Sequence, residues 1–113
     1  MSVLYSDYLN TVDSVVWECP SSARGFDITF RADITFWTLC NVSDSTVKVS
    51  VGLAAERTPA LSHRVLHDYP LASGDTLNLL VPLDHPKMVS GDVITGRASR
   101  SNAVTMVLCG TVT

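Results

Sequence analysis

Apolar residues recur at every second position through most of this chain, and that period restricts it to strands. Val47, Val49, Val51 and Leu53 alternate with Thr46, Lys48, Ser50 and Gly52. Successive side chains of a strand point to opposite faces, so this run has one face in a core and one outside. Leu77, Leu79, Val81 and Leu83 repeat the pattern, as do Val104, Met106 and Leu108, with Thr105 and Cys109 on the opposite face. Val15, Val16 and Trp17 begin a further strand that Pro20 ends. The segments from His63 to Tyr69 and from Asp92 to Ala98 bring the count to seven or eight.

The run from Asp33 to Val42 is apolar on both sides. Strict alternation puts Ile34, Phe36, Cys40 and Val42 on one face and Trp37 and Leu39 on the other. Such a strand is central in its sheet or covered by a partner. Phe26, Ile28 and Phe30 precede it with the same parity, either as its bent continuation or as a separate strand.

Turn signals separate the runs: Pro20-Ser21-Ser22, Asn41 to Ser45, Thr58-Pro59, Ser73-Gly74-Asp75, Asp84-His85-Pro86, Ser90-Gly91-Asp92 and Ser99 to Asn102. Short strands with turns at this spacing predict an all-β, antiparallel, jelly-roll-like sandwich. The segment from Leu71 to Leu77 echoes that from Met88 to Ile94 around a shared Ser-Gly-Asp. The echo predicts two equivalent turns, with Gly74 and Gly91 at positive φ and Asp75 and Asp92 bonding nearby backbone donors. One Asp per copy is too few oxygen ligands for a calcium loop.

No helix of normal length fits. Ser2 to Thr11 places Leu4 and Tyr8 four apart, enough for one short helical turn at most. Residues 1–13 are therefore expected to form an N-terminal arm and 14–113 the sandwich. Val3, Leu4, Tyr5, Tyr8 and Leu9 are the arm's candidate partner-binding residues. The same segment has no basic n-region and no long apolar core, so no signal peptide is expected, and no apolar run is long enough for a membrane span.

Chemistry is sparse. His63 and His67 on one strand face would stand roughly 13 Å apart, too far to share a metal ion. His85 lies in a turn, and no spacing supplies the four ligands of a zinc site. No G-x-S-x-G elbow and no phosphate-cradling glycine loop occurs. Neither catalysis, a cofactor nor a metal is expected. The eight basic residues are scattered singly in a chain of net charge −3, which argues against nucleic acid. Cys19, Cys40 and Cys109 are odd in number and form no C-x-x-C pair, as suits folding in a reducing cytoplasm. Exposed aromatics are what a glycan site would use, and Tyr5, Tyr8 and Tyr69 are the open candidates.

Charged residues make up 17% of the chain, below the roughly 25% of an average soluble domain. A small, sparsely charged domain gains from partners. The strand from Val47 to Leu53 has one Lys and no Pro, which would leave it poorly protected at a sheet edge.

Several of these runs together resemble a family. Val16-Trp-Glu-Cys-Pro20, Ile34 to Asn41 and Ser45 to Val51 look like the small β-sandwich virion proteins of tailed bacteriophages. So do His67-Asp-Tyr-Pro-Leu71 followed by Ser-Gly-Asp-Thr-Leu77, then Ser-Gly-Asp-Val-Ile94 and the closing run from Val104 to Gly110. The resemblance covers residues 14–113. It implies a structural role in the virion, with assembly in the host cytoplasm. Short length without fibre repeats or a lytic motif points to a capsid decoration (cement) protein. Its implied partners are the major capsid protein or other virion proteins and further copies of itself, with a trimer suiting a three-fold lattice site. Neck, collar or tail accessory roles and a glycan- or receptor-binding module are the alternatives.

Overall fold

A computed structural model describes residues 2–20, 30–55, 64–80 and 87–113. The regular elements among them are nine strands. They are β1 (Ser2–Tyr8), β2 (Ser14–Glu18), β3 (Arg31–Asn41), β4 (Val47–Ala54), β5 (Arg64–Leu71), β6 (Thr76–Asn78), β7 (Lys87–Val89), β8 (Val93–Ala98) and β9 (Val104–Val112). Sheet A runs β1-β9-β3-β6, with β7 also on β3, and sheet B runs β2-β8-β4-β5. All pairings are antiparallel.

β6 pairs with Thr38–Cys40 of β3 and β7 with Arg31–Asp33. The two short strands lie along one side of β3 and act as one interrupted strand. Each adjacency in sheet A then has its counterpart in sheet B: β1–β9 with β2–β8, β9–β3 with β8–β4, β3–β6 with β4–β5. This is jelly-roll connectivity, two four-position sheets wound together. The expected sandwich is therefore present. Phe26, Ile28, His63, Val81, Leu83 and His85 lie outside the described residues. Of the strand expected from Leu77, Thr76–Asn78 is strand, and Leu79 follows it into the core, bonding its N–H to the Trp37 carbonyl at 2.9 Å.

The N-terminal segment is not an arm within this structure. Ser2–Tyr8 completes sheet A as an edge strand on β9. β9 would otherwise show a long row of unpaired backbone groups, and pairing satisfies them locally. The chain then crosses between sheets at Leu9-Asn10: the Leu9 N–H bonds Val104 in sheet A, and the Asn10 carbonyl accepts from Ala98 in sheet B. Leu9 is 1% exposed and sits against Gly96, whose missing side chain makes room for it. β4, for its part, is no edge; it lies between β8 and β5.

The parity expected for β3 is corrected by a bulge. Its register on β9 shifts between Ile34 and Phe36, opposite Gly110 and Cys109. A bulge inserts one unpaired residue and exchanges the faces beyond it. Ala32 and Ile34 point inward before it, Trp37 and Leu39 after it, and all four are buried. Phe36 turns outward and is 44% exposed. Gly110 permits this arrangement, because a Cβ there would overlap the Asp33 carbonyl oxygen.

The core lies between the sheets, with Trp37, Leu39, Met106 and Leu108 from sheet A against Val47, Val49, Val51 and Ile94 from sheet B. At one end Asn41, fully buried, closes the β3–β4 connection. Its Nδ2 donates to the Ser45 and Leu71 carbonyls, both at 2.8 Å. Its Oδ1 accepts from the Ser43 N–H at 2.9 Å and the Ser43 hydroxyl at 2.7 Å.

The Ser-Gly-Asp echo is realised twice. Gly74 and Gly91 have φ of 79° and 89°. In the first copy the Gly74 N–H bonds the Asn41 carbonyl and the Asn41 N–H bonds the Asp75 carbonyl. In the second, Gly91 and Asp92 make the same pair of bonds with Cys19. The first turn carries the chain from sheet B to sheet A and the second carries it back. The Asp92 carboxylate accepts from the Val89 N–H at 3.0 Å.

Two stability outcomes follow in urea denaturation. Gly110→Ala forces backbone to move and should cost roughly 1–3 kcal/mol. Asn41→Leu takes the side-chain donor from the Leu71 carbonyl and the acceptor from the Ser43 N–H, and should cost about 2–4 kcal/mol. A midpoint unchanged in either variant would contradict the geometry that motivates it.

Candidate functional site

The outward faces of the two sheets differ in kind. Residues directly opposite on paired strands share a face, so sheet A's outer surface can be read in rows. Val3, Cys109 and Phe36 form one row. Ser6, Val107, Thr38 and Asn78 form the next, and Tyr8, Thr105, Cys40 and Thr76 the third. None of these side chains is charged. Val3, Tyr8 and Phe36 are among the exposed large hydrophobics. Cys109 points outward yet is only 8% exposed, screened where Val3 and Phe36 flank it. Charge returns only past the β3 bulge, where Asp33 pairs with Lys87 and Arg31 with Val89.

Sheet B's outer side holds a charged network. Asp68 sits in β5 at φ 45°, a left-handed backbone that Asp tolerates better than most residues. Its N–H donates to the Ser50 hydroxyl oxygen at 2.9 Å. Its carboxylate accepts from Ser50 at 3.2 Å and from Arg97 at 2.9 Å. Arg64, almost buried, donates to Asp13 at 2.7 Å and to His67 Nδ1 at 2.6 Å. A guanidinium only donates, so Nδ1 is the acceptor and the ring proton sits on Nε2, 3.6 Å from Asp68.

Ser50, His67 and Asp68 are the residue types of a hydrolytic triad, but their order differs. Asp68 lies between the other two, and Ser50 is 1% exposed. A nucleophile needs its base within hydrogen-bond reach, and the Ser50 hydroxyl instead meets a carboxylate already held by Arg97. Among the described residues no group of three or more His, Cys, Asp or Glu stands together as metal ligands. All three cysteines are free. Burial, with the nearby Asp92 charge, pushes the Cys19 thiol up, away from thiolate reactivity.

The five residues expected to meet a partner are divided by the fold. Val3 and Tyr8 reach the uncharged face, 64% and 41% exposed. Leu4 is half-buried at a β1 bulge and packs on the core. Tyr5 also turns toward the core, its hydroxyl donating to the Tyr8 carbonyl at 3.0 Å. Burial and then the Asp7 charge raise its pKa. Leu9 belongs to the core and is unavailable to a partner, because the crossing between sheets buries it. Tyr69 is 41% exposed beside the Asp68 network.

Sequence reasoning missed Phe36, Thr38 and Cys40 on β3, and Thr105 and Val107 on β9. One signal was present: residues 34–43 and 101–113 contain no charged side chain. These two runs are the ones that pair. The chain matches no protein-family model, no curated protein and no solved structure.

The Asp68 network yields a pH dependence. The Arg97 hydrogen bond, with help from the Ser50 hydroxyl and against the opposing effect of burial, holds the Asp68 carboxyl below the usual range. A carboxyl with a lowered folded value stabilises the fold above its unfolded value. That contribution is lost as pH falls through the folded value. Asp68→Asn, which keeps the left-handed backbone accessible, should therefore lower the urea midpoint at pH 7 and lose its difference from wild type at acid pH. A difference that stays constant across the carboxylate range would remove the charge from the explanation.

Proposed function

We propose that this chain is a non-enzymatic virion structural protein, a capsid decoration protein that stabilises an assembled head by packing against neighbouring subunits. The observation that carries the reading is the uncharged outer face of sheet A, rimmed by Val3, Tyr8 and Phe36. Apolar side chains gain by burial, and hydroxyl groups that find a hydrogen-bond partner cost far less to take out of water than ions do. On the opposite face Arg97, Asp68 and Ser50, and Arg64 with Asp13, are by contrast engaged with one another, which suits a surface left in solvent.

Two further considerations support the virion. Jelly-roll sandwiches are a recurrent architecture of viral capsid proteins, a fold-level analogy. The ordered motifs from Val16 to Gly110 resemble small virion proteins of tailed bacteriophages. The same chemistry would serve a neck, collar or tail accessory protein. A glycan-binding role would centre on Tyr69, an exposed aromatic that follows Asp68 in β5.

Purified particles separated into heads and tails and quantified by mass spectrometry test the proposal. The expected result is this chain in the head fraction at a fixed ratio to the major capsid protein, released on heating before the head opens. Recovery with tails would move it to the accessory role. Absence from particles, together with saturable binding on a glycan array that Tyr69→Ala abolishes, would replace the structural reading.

A further inference from the structure

We infer that the uncharged face of sheet A is covered by the same face of a second copy of this chain, related by a two-fold axis. The inference rests on reading that face as a packing surface and names its partner.

A two-fold axis brings a patch onto itself, so residues near the axis meet their own kind. On a chain of net charge −3 most surfaces would then place like charges together. The outer side of sheet B, with Lys48, Asp68 and Arg97, would do so. The centre of the sheet A face is Thr38 beside Val107, and a self-contact there brings no charges together.

The area fits as well. With Val3, Tyr8 and Phe36 exposed at 64%, 41% and 44% and smaller side chains between them, the whole face offers at most on the order of 600 Å² per copy, the small end of stable interfaces.

The contact is self-complementary because, among the described residues, no second uncharged patch of this kind stands ready for a head-to-tail ring. The other exposed large hydrophobics among the described residues are Val12, Val42, Val65, Tyr69 and Val89. Val65 and Tyr69 are separated along β5 by His67, and Val89 lies opposite Arg31. The four sheet edges are also poor alternatives. β5 carries Pro70 and the left-handed Asp68, β2 is five residues with a bulge, the β6–β7 side is interrupted, and β1 is bent by a bulge between Val3 and Tyr5 and carries the charged Asp7.

The test is the mass of the full-length chain by light scattering after gel filtration, loaded up to about 100 μM, where a micromolar contact is saturated. A dimer is expected. Thr38→Lys and Val107→Lys, each outward-facing, should each give a monomer while keeping the wild-type circular dichroism spectrum. Lys48→Glu, on the other sheet, should remain a dimer. A wild-type monomer or trimer, or a folded Thr38→Lys or Val107→Lys variant that keeps the dimer mass, overturns the two-fold contact. A wild-type monomer that is nevertheless found on heads would sink this inference and leave the virion role standing.

Discussion

The close approach of the β3 backbone to Gly110 is the constraint on which the rest of the molecule depends. A side chain at that position would occupy the space of the Asp33 carbonyl. Because it has none, β3 can bulge between Ile34 and Phe36 and exchange its faces halfway along. The exchange sends Trp37 and Leu39 into the core beside Ile34 and leaves Phe36, Thr38 and Cys40 outside. Without it, alternation from Ile34 would bury Phe36 and expose Trp37, the largest side chain in the core. One backbone contact thus sets both what holds the sheets together and what the molecule shows to its surroundings.

Closure of the sandwich relies on one buried amide whose donors and acceptor are all engaged. Asn41 sits where β3 ends, and its amide ties the following turn to the end of β5. Its main chain forms half of the first Ser-Gly-Asp docking; Cys19 plays that part in the second. A buried amide with all its partners fixes one arrangement of the chain, because any other leaves donors or acceptors stranded in a dry interior. The two turns are crossovers between sheets, which is why they need a glycine at positive φ and a docked backbone.

The distribution of charge divides the outer surfaces by task. Sheet B carries paired ions and a strained, fully engaged Asp68; sheet A carries none across three rows. A charged surface stays hydrated because removing its ions from water is costly. A surface of methyl, hydroxyl, amide and aromatic groups carries a much smaller penalty, which a hydrogen bond across the contact offsets. The proposed assembly role and the two-fold contact both follow from that difference.

Strands, their approximate limits, the turns and the echo were legible in the order of residues, because period two and glycine's backbone freedom are local properties. The face of β3 was not, since a bulge depends on what lies opposite, and Gly110 is far away in sequence. The status of residues 2–9 was likewise hidden: whether they hang free or pair depends on β9 offering an edge, and whether Leu9 is a contact or a core residue depends on Gly96 lying beneath it. The charge-free runs 34–43 and 101–113 were visible in the sequence, but only their adjacency in sheet A turns them into a surface. The sequence by itself determined an all-β chain without a local catalytic motif. Tertiary structure alone decided which side of each strand is inside, because that choice is made by the partner strand and not by the strand itself.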